Sequence, residues 1–153
     1  MSVKVLIVDD QSLVRAGFRM ILDAESYIEV VGEASDGLEA VIAARQTEPD
    51  VILMDVRMPN VDGLEATRRL LEGKDEGPRI LILTTFDFDE YVYEALRAGA
   101  SGFLLKDTPP EDLVDAVRLS LISGVGPRLR KLLLEEFGTA AAVLSAAPSD
   151  LRR

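Results

Sequence analysis

Residues 50–63 read DVILMDVRMPNVDG. Val51 to Met54 form an unbroken apolar run that ends on a carboxylate, Asp55. A run without polar alternation suits a strand buried on both faces, the condition of strands inside a parallel sheet. Met58-Pro59-Asn60 and Asp62-Gly63 then break the chain, so a turn follows the strand and a helix starts near Gly63.

The same unit recurs in both directions. KVLIV (4–8), IEVVGEA (28–34), RILILT (79–84) and GFLL (102–105) read as further strands, and four of the five are apolar enough for burial on both faces. Amphipathic stretches alternate with them at Ser12–Asp23, Gly37–Arg45, Gly63–Leu71, Glu90–Arg97 and Glu111–Leu121, with breakers at Asp36-Gly37, Gly73 to Pro78, Ala98-Gly99 and Pro109-Pro110. In the first helix Leu13, Ala16, Gly17 and Met20 recur at helical spacing and predict the face packed on the sheet. Five alternations predict an α/β fold, a doubly wound five-stranded parallel sheet of (βα)5 type. Functional residues in such sheets collect beyond the carboxyl ends of the strands.

Composition narrows the chemistry. The 153 residues suffice for one packed domain with about thirty to spare, and contain neither cysteine nor histidine. Disulfides, thiolate or imidazole catalysis and zinc sites with nitrogen or sulfur ligands are excluded. Carboxylates, hydroxyls, lysine and a hard cation remain. No apolar run reaches the length of a membrane span, and MSVKVLIVDD has no secretory pattern, so a soluble, cytoplasmic protein with no membrane partner is expected. The net charge of −10 opposes general nucleic-acid binding, but it is uneven. Residues 1–120 hold 12 Lys/Arg against 24 Asp/Glu, whereas residues 121–153 hold 5 against 3.

At the predicted carboxyl ends stand Asp9-Asp10, Asp55, Thr84-Thr85 and Lys106. Apposed carboxylates repel one another and raise each other's pKa, and a divalent cation relieves the repulsion. Mg2+ takes oxygen ligands, commonly one or two carboxylates with phosphate oxygens. The remaining carboxylate is then free to attack phosphorus, with the Lys106 ammonium neutralising charge and a threonine hydroxyl bonding a phosphoryl oxygen. Taken alone, Asp9-Asp10 reads as a solvated turn, Lys106 as a surface lysine and Phe103 as core; the acids and the lysine gain meaning together. Strand alternation sends Thr84 and Thr85 to opposite sides, and spacing to Lys106 favours Thr84.

The segments VLIVDDQ, DVILMDVRMPNVDG, ILILTTFDFDEYV and AGASGFLLKD closely resemble the receiver domains of NarL/LuxR-type response regulators over about residues 2–120. The resemblance implies a flavodoxin-like receiver in two-component phosphorelay signalling, not an enzyme beyond self-catalysed phosphoryl transfer and hydrolysis. It implies Asp55 as phosphoacceptor, Asp9 and Asp10 with Asp55 and the Arg57 carbonyl around Mg2+, Lys106 as the paired lysine, and Thr84 and Phe103 as switch residues. A sensor histidine kinase is the implied phosphodonor; Phe88, Tyr91 and Tyr93 read either as ordinary helix-to-sheet packing or, as in the family, as a homodimer or partner surface that serves as readout. Many receivers place a proline directly after the lysine; here Asp107 and Thr108 intervene before Pro109-Pro110, as is usual in this branch.

The expected domain limits are 1–121 for the receiver and 122–153 for a small helical hairpin. Gly124-Val125-Gly126-Pro127, followed by an amphipathic stretch, resembles a helix-hairpin-helix unit of DNA-processing protein A relatives. That resemblance implies weak, sequence-independent DNA contact through Gly124, Gly126, Arg128, Arg130 and Lys131, and so a DNA-binding, transcription-regulating output. A helical cap on the receiver or on a second chain fits the same residues. A phosphoaspartyl phosphatase is a further alternative, against which Asp55-Val56-Arg57 lacks the second acid of an Asp-x-Asp pair.

Overall fold

The computed structural model describes residues 2–74, 77–85 and 90–121, less the side chains of residues 91 and 92. Strands β1 (Val3–Val8), β2 (Ile28–Ala34), β3 (Val51–Asp55), β4 (Arg79–Thr84) and β5 (Gly102–Leu105) form one sheet in the order β2-β1-β3-β4-β5. Every neighbouring pair is parallel. Helices α1 (Ser12–Asp23), α2 (Gly37–Thr47), α3 (Gly63–Leu71), α4 (Glu90–Arg97) and α5 (Pro110–Ser120) alternate with the strands. Helices α1 and α5 touch one another, while α3 touches α2 and α4, which gives a helical layer on each face of the sheet. Among the described residues no helix is long and apolar enough to cross a membrane.

Sequence explains where each strand sits. All five residues of β3 are buried, as are Val5–Val8 of β1, Ile80–Thr84 of β4 and Gly102–Leu104 of β5. Glu29 and Glu33 keep β2 half in water at an edge of the sheet. The order reverses between β1 and β3, the point where open parallel sheets leave a crevice at their carboxyl ends. Register brings the functional ends level there: Val8 pairs with Met54, Asp55 with Leu83 and Thr84 with Leu105.

The face predicted for α1 is inverted. Leu13 and Met20 are 85% and 76% exposed, and Ala16 and Gly17 face water too. The buried stripe is Phe18 and Leu22, with Val14 and Ile21 packed beside them. Both stripes have helical spacing, so periodicity does not choose between them. Bulk does, because Phe18, Leu22 and Ile21 remove far more apolar area from water than Ala16 and Gly17.

Other boundaries shift by one or two residues. Helix α2 runs to Thr47, whose Oγ1 donates to the Ala43 carbonyl, and stops where Glu48 turns left-handed at φ 46°. Strand β1 begins at Val3, and α5 starts at Pro110 and stops at Ser120. Proline suits the first helical turn, where its missing N–H has no partner to lose. Asp36 and Asp62 cap α2 and α3, accepting from Glu39 N and Glu65 N at 2.8 Å each. Asn60, left-handed at φ 65°, donates to Asp36 Oδ2 at 3.0 Å and ties the turn after β3 to the start of α2. That contact and the Glu39 amide, the larger influence, hold the Asp36 carboxyl below its ordinary range. The predicted hairpin at 122–153, with Gly124, Gly126, Arg128, Arg130 and Lys131, lies outside the described residues.

Two glycines should respond oppositely to alanine. A Cβ on Gly63 would stand 2.1 Å from the Asp55 carbonyl oxygen, whereas one on Gly17 meets nothing within 4 Å. Urea unfolding should show Gly63→Ala destabilised by about 1–3 kcal/mol, the cost of overpacking. Gly17→Ala should gain about 0.5–1 kcal/mol from reduced backbone freedom in an exposed helix. A neutral Gly63→Ala would contradict the tight seat beneath Asp55.

Candidate functional site

The strand ends bring Asp9, Asp10, Asp55, Thr84 and Lys106 together, with Arg57 on the loop after β3. Asp9 is fully buried; its amide donates to the Ala34 carbonyl at 3.1 Å and its Oδ1 accepts from Gln11 N at 2.8 Å. Lys106 Nζ lies 2.9 Å from Asp9 Oδ2 and 3.2 Å from Asp55 Oδ2, so one ammonium bridges two buried carboxylates. Asp55 Oδ1 accepts weakly from Arg57 N at 3.4 Å.

Oxygens of Asp9, Asp10 and Asp55 all lie within 4.8 Å of one another. Beside them opens a cavity of about 230 Å³ lined by Asp10, Asp55, Arg57, Thr84, Thr85 and Lys106 among others. Thr84 is buried at the end of β4 and Thr85 exposed beyond it, yet both border this cavity. The Lys106 amide donates to the Thr84 carbonyl at 2.9 Å, which joins the ends of β4 and β5. Phe103 is buried and pairs in register with Ile82, two residues before Thr84. Tyr93 is 38% exposed and has the Arg97 guanidinium 5.8 Å from its ring centre. Phe88 and the side chain of Tyr91 lie outside the described residues.

Electrostatics follow from this packing. Burial first, then the Asp9 charge, push the Asp55 carboxyl up from 3.8 to about 6 against the pull of Lys106. Burial works against the Lys106 ammonium, but the Asp9 and Asp55 carboxylates outweigh it and hold its pKa above the ordinary 10.5. Three carboxylates against one ammonium leave an excess of negative charge in a partly dry site. An all-oxygen donor set of three carboxylates offset by a single ammonium fits a hard divalent cation.

Gln11 and Arg15 went unforeseen in the sequence. Gln11 acts through its backbone N–H, which carries no residue-type signal. Arg15 Nη1 donates to the Asp9 carbonyl at 2.6 Å, and a cation aimed at a main-chain oxygen leaves no mark in spacing. A wider, open depression of about 840 Å³ lies at the other end of the sheet, among Arg45, Glu48, Asp50, Arg69, Lys74 and Arg79.

The raised Asp55 pKa makes stability depend on pH. Between about pH 4 and 6 the folded chain holds more proton than the unfolded one, so stability falls as pH rises through that window and the penalty is complete above it. Asp55→Asn removes the penalty. Thermal unfolding in EDTA should place the variant on the order of 2 kcal/mol above wild type at pH 7.5. The gap should close below pH 4 and narrow with millimolar Mg2+; a gap independent of pH would disprove the assignment.

Among curated relatives, the transcriptional regulatory protein YxjL of Bacillus subtilis, itself uncharacterised, is 52% identical over 116 residues, covering 76% of this chain and 53% of that protein. The chain thus spans about half the length of that relative. Among solved structures, the signal receiver domain of NarL from Mycobacterium tuberculosis superposes with a TM-score of 0.71 at 38% identity, covering 76% of this chain and 94% of that one. A chain of the CheX–CheY–BeF3–Mg2+ complex from Borrelia burgdorferi gives a TM-score of 0.66 at 26% identity, over 72% of this chain and 83% of that one. Residues 5–118 match the response regulator receiver domain, and with the fold and the strand-end carboxylates in place the chain belongs to that family.

Proposed function

We propose that the chain receives a phosphoryl group on Asp55 from the phosphohistidine of a sensor kinase and so acts as the switch of a two-component pathway. One observation carries the reading. At the β1–β3 crevice the Asp10 and Asp55 carboxylates, the Lys106 ammonium and Thr84 line one small cavity, with the buried Asp9 carboxylate against the same ammonium.

Asp55, with its pKa near 6, is ionised at neutral pH and able to act as nucleophile. Its oxygen forms a bond to phosphorus while the bond from phosphorus to the donor imidazole nitrogen breaks, and the leaving nitrogen takes up a proton. Lys106, already paired with Asp55, balances the charge on the phosphoryl oxygens. Asp9, Asp10, Asp55 and the Arg57 carbonyl are the groups to hold Mg2+, which supplies further neutralisation of the transferring group. The relative solved with BeF3 and Mg2+ supports this assignment. Attachment adds about −1.5 to −2 charges, taking an acyl phosphate to resemble a phosphomonoester. Thr84 supplies the hydroxyl drawn to the new oxygens, and Phe103 the aromatic that follows.

The regulated surface is the side of the sheet bearing β4, α4, β5 and α5, where Tyr93 meets water, and its partner is a second copy or an output domain. Relatives named as transcriptional regulators support gene control as the output of the whole protein. On this reading residues 1–121 are the receiver, the address is cytoplasmic, and catalysis is limited to the chain's own phosphorylation and hydrolysis.

Incubation with acetyl phosphate and Mg2+ should add one phosphoryl group by intact-mass measurement, and none to Asp55→Asn. An unmodified wild type, or equal modification of Asp55→Asn, would overturn the proposal. Lys106→Ala should slow the modification about a hundredfold, as loss of one charge-stabilising donor does.

A further inference from the structure

We infer that Arg15 is a positioning residue for the metal-binding acids, acting on the peptide that joins Asp9 to Asp10. This rests on the proposed Mg2+-dependent function. The Asp9 carbonyl that accepts from Arg15 Nη1 belongs to that peptide plane, so the guanidinium fixes the plane from which the Asp10 carboxylate projects toward the cavity. Arg15 is itself held. Its Nε donates to Glu33 Oε1 at 3.1 Å, Glu33 Oε2 accepts from Arg19 Nη1 at 2.9 Å, and the Arg15 side chain is only 18% exposed.

Glu33 immediately precedes Ala34, whose carbonyl accepts the Asp9 amide. The two ends of Asp9 are thus anchored to neighbouring points of β2, one directly and one through the Arg15–Glu33 pair. Asp9 Oδ1 is fixed separately by Gln11 N. Every polar backbone group of Asp9 is therefore tied down before a cation arrives. A planar guanidinium presents its N–H groups to the carbonyl and the carboxylate in one fixed fork, whereas a lysine ammonium is a compact charge on a flexible stem without that preset geometry. Groups that orient metal ligands in this way typically change metal affinity 10- to 100-fold when removed.

Arg19 provides the internal control, because it shares Glu33 but makes no contact with Asp9. Isothermal titration of the full chain with Mg2+ should show Kd weakened about tenfold in Arg15→Gln, less than about twofold in Arg19→Gln, which acts only through Glu33, and intermediate in Arg15→Lys. With acetyl phosphate, Arg15→Gln should need about tenfold more Mg2+ for half-maximal rate and reach the wild-type maximum once saturated. Should Arg15→Gln melt too early to titrate, Arg15→Lys carries the same test. A wild-type Kd in both Arg15 variants overturns the inference, and so does equal weakening by Arg19→Gln, which marks a general effect of charge or packing. A wild type that binds no Mg2+ overturns the proposed function beneath it, an outcome read from the wild-type titration alone.

Discussion

One ammonium shared between two buried carboxylates is the interaction on which the carboxyl-end rim depends. Lys106 faces Asp9 and Asp55 at 2.9 and 3.2 Å, with Asp10 close enough to add a third negative group. At such separations a pair of charges in a partly solvated protein site interacts with an energy on the order of 4 kcal/mol, attractive or repulsive alike. One ammonium cannot neutralise three acids, and burial first, then the Asp9 charge, leave the Asp55 pKa raised against its pull. The site is folded at some cost in stability, and it favours whatever brings positive charge to it.

That arrangement exists because the sheet leaves no freedom at the strand ends. Four parallel strands with nearly continuous burial fix their register through side chains packed on both faces, and a slip of one residue would place Asp55 in the apolar layer. The turn after β3 is held as firmly. Gly63 N donates to the Val56 carbonyl at 2.9 Å, Gly37 N to the Val61 carbonyl at 2.8 Å, and Asn60 reaches Asp36. Rigid backing is what lets like charges stand within a few ångströms without moving apart.

Much of this was legible in the sequence, and the parts that were not have physical reasons. Apolar runs ending in Asp10, Asp55, Thr84 and Lys106 announce both the strands and the rim, because a doubly covered strand has no other way to expose a polar group than at its end. The exposed side of α1 was not legible from periodicity. Leu13 and Met20 make an apolar stripe as regular as that of Phe18 and Leu22, and the bulk of Phe18, Ile21 and Leu22 is what separates them. The Arg15 clamp is invisible for another reason: its acceptor is a backbone carbonyl, which every residue has. Helix α2 outran its predicted end because a non-glycine residue, Glu48, takes the left-handed turn that stops it.

The bond between Lys106 N and the Thr84 carbonyl bears on how a charge at Asp55 would be felt elsewhere. Thr84 and Lys106 are the two groups expected to answer a phosphoryl group, one by its hydroxyl and one by its ammonium. Because their backbones are joined, a shift of either strand end is carried to the other, and β4 and β5 respond as a pair. Phe103 is buried and level with Ile82 on the same pair of strands. The Asp9 side of the rim is tied instead to β2 through Ala34 and the Arg15–Glu33 pair. The rim at Asp55 is thus tied on one side to β2 and on the other to the joined ends of β4 and β5, with Lys106 paired to acids of both sides.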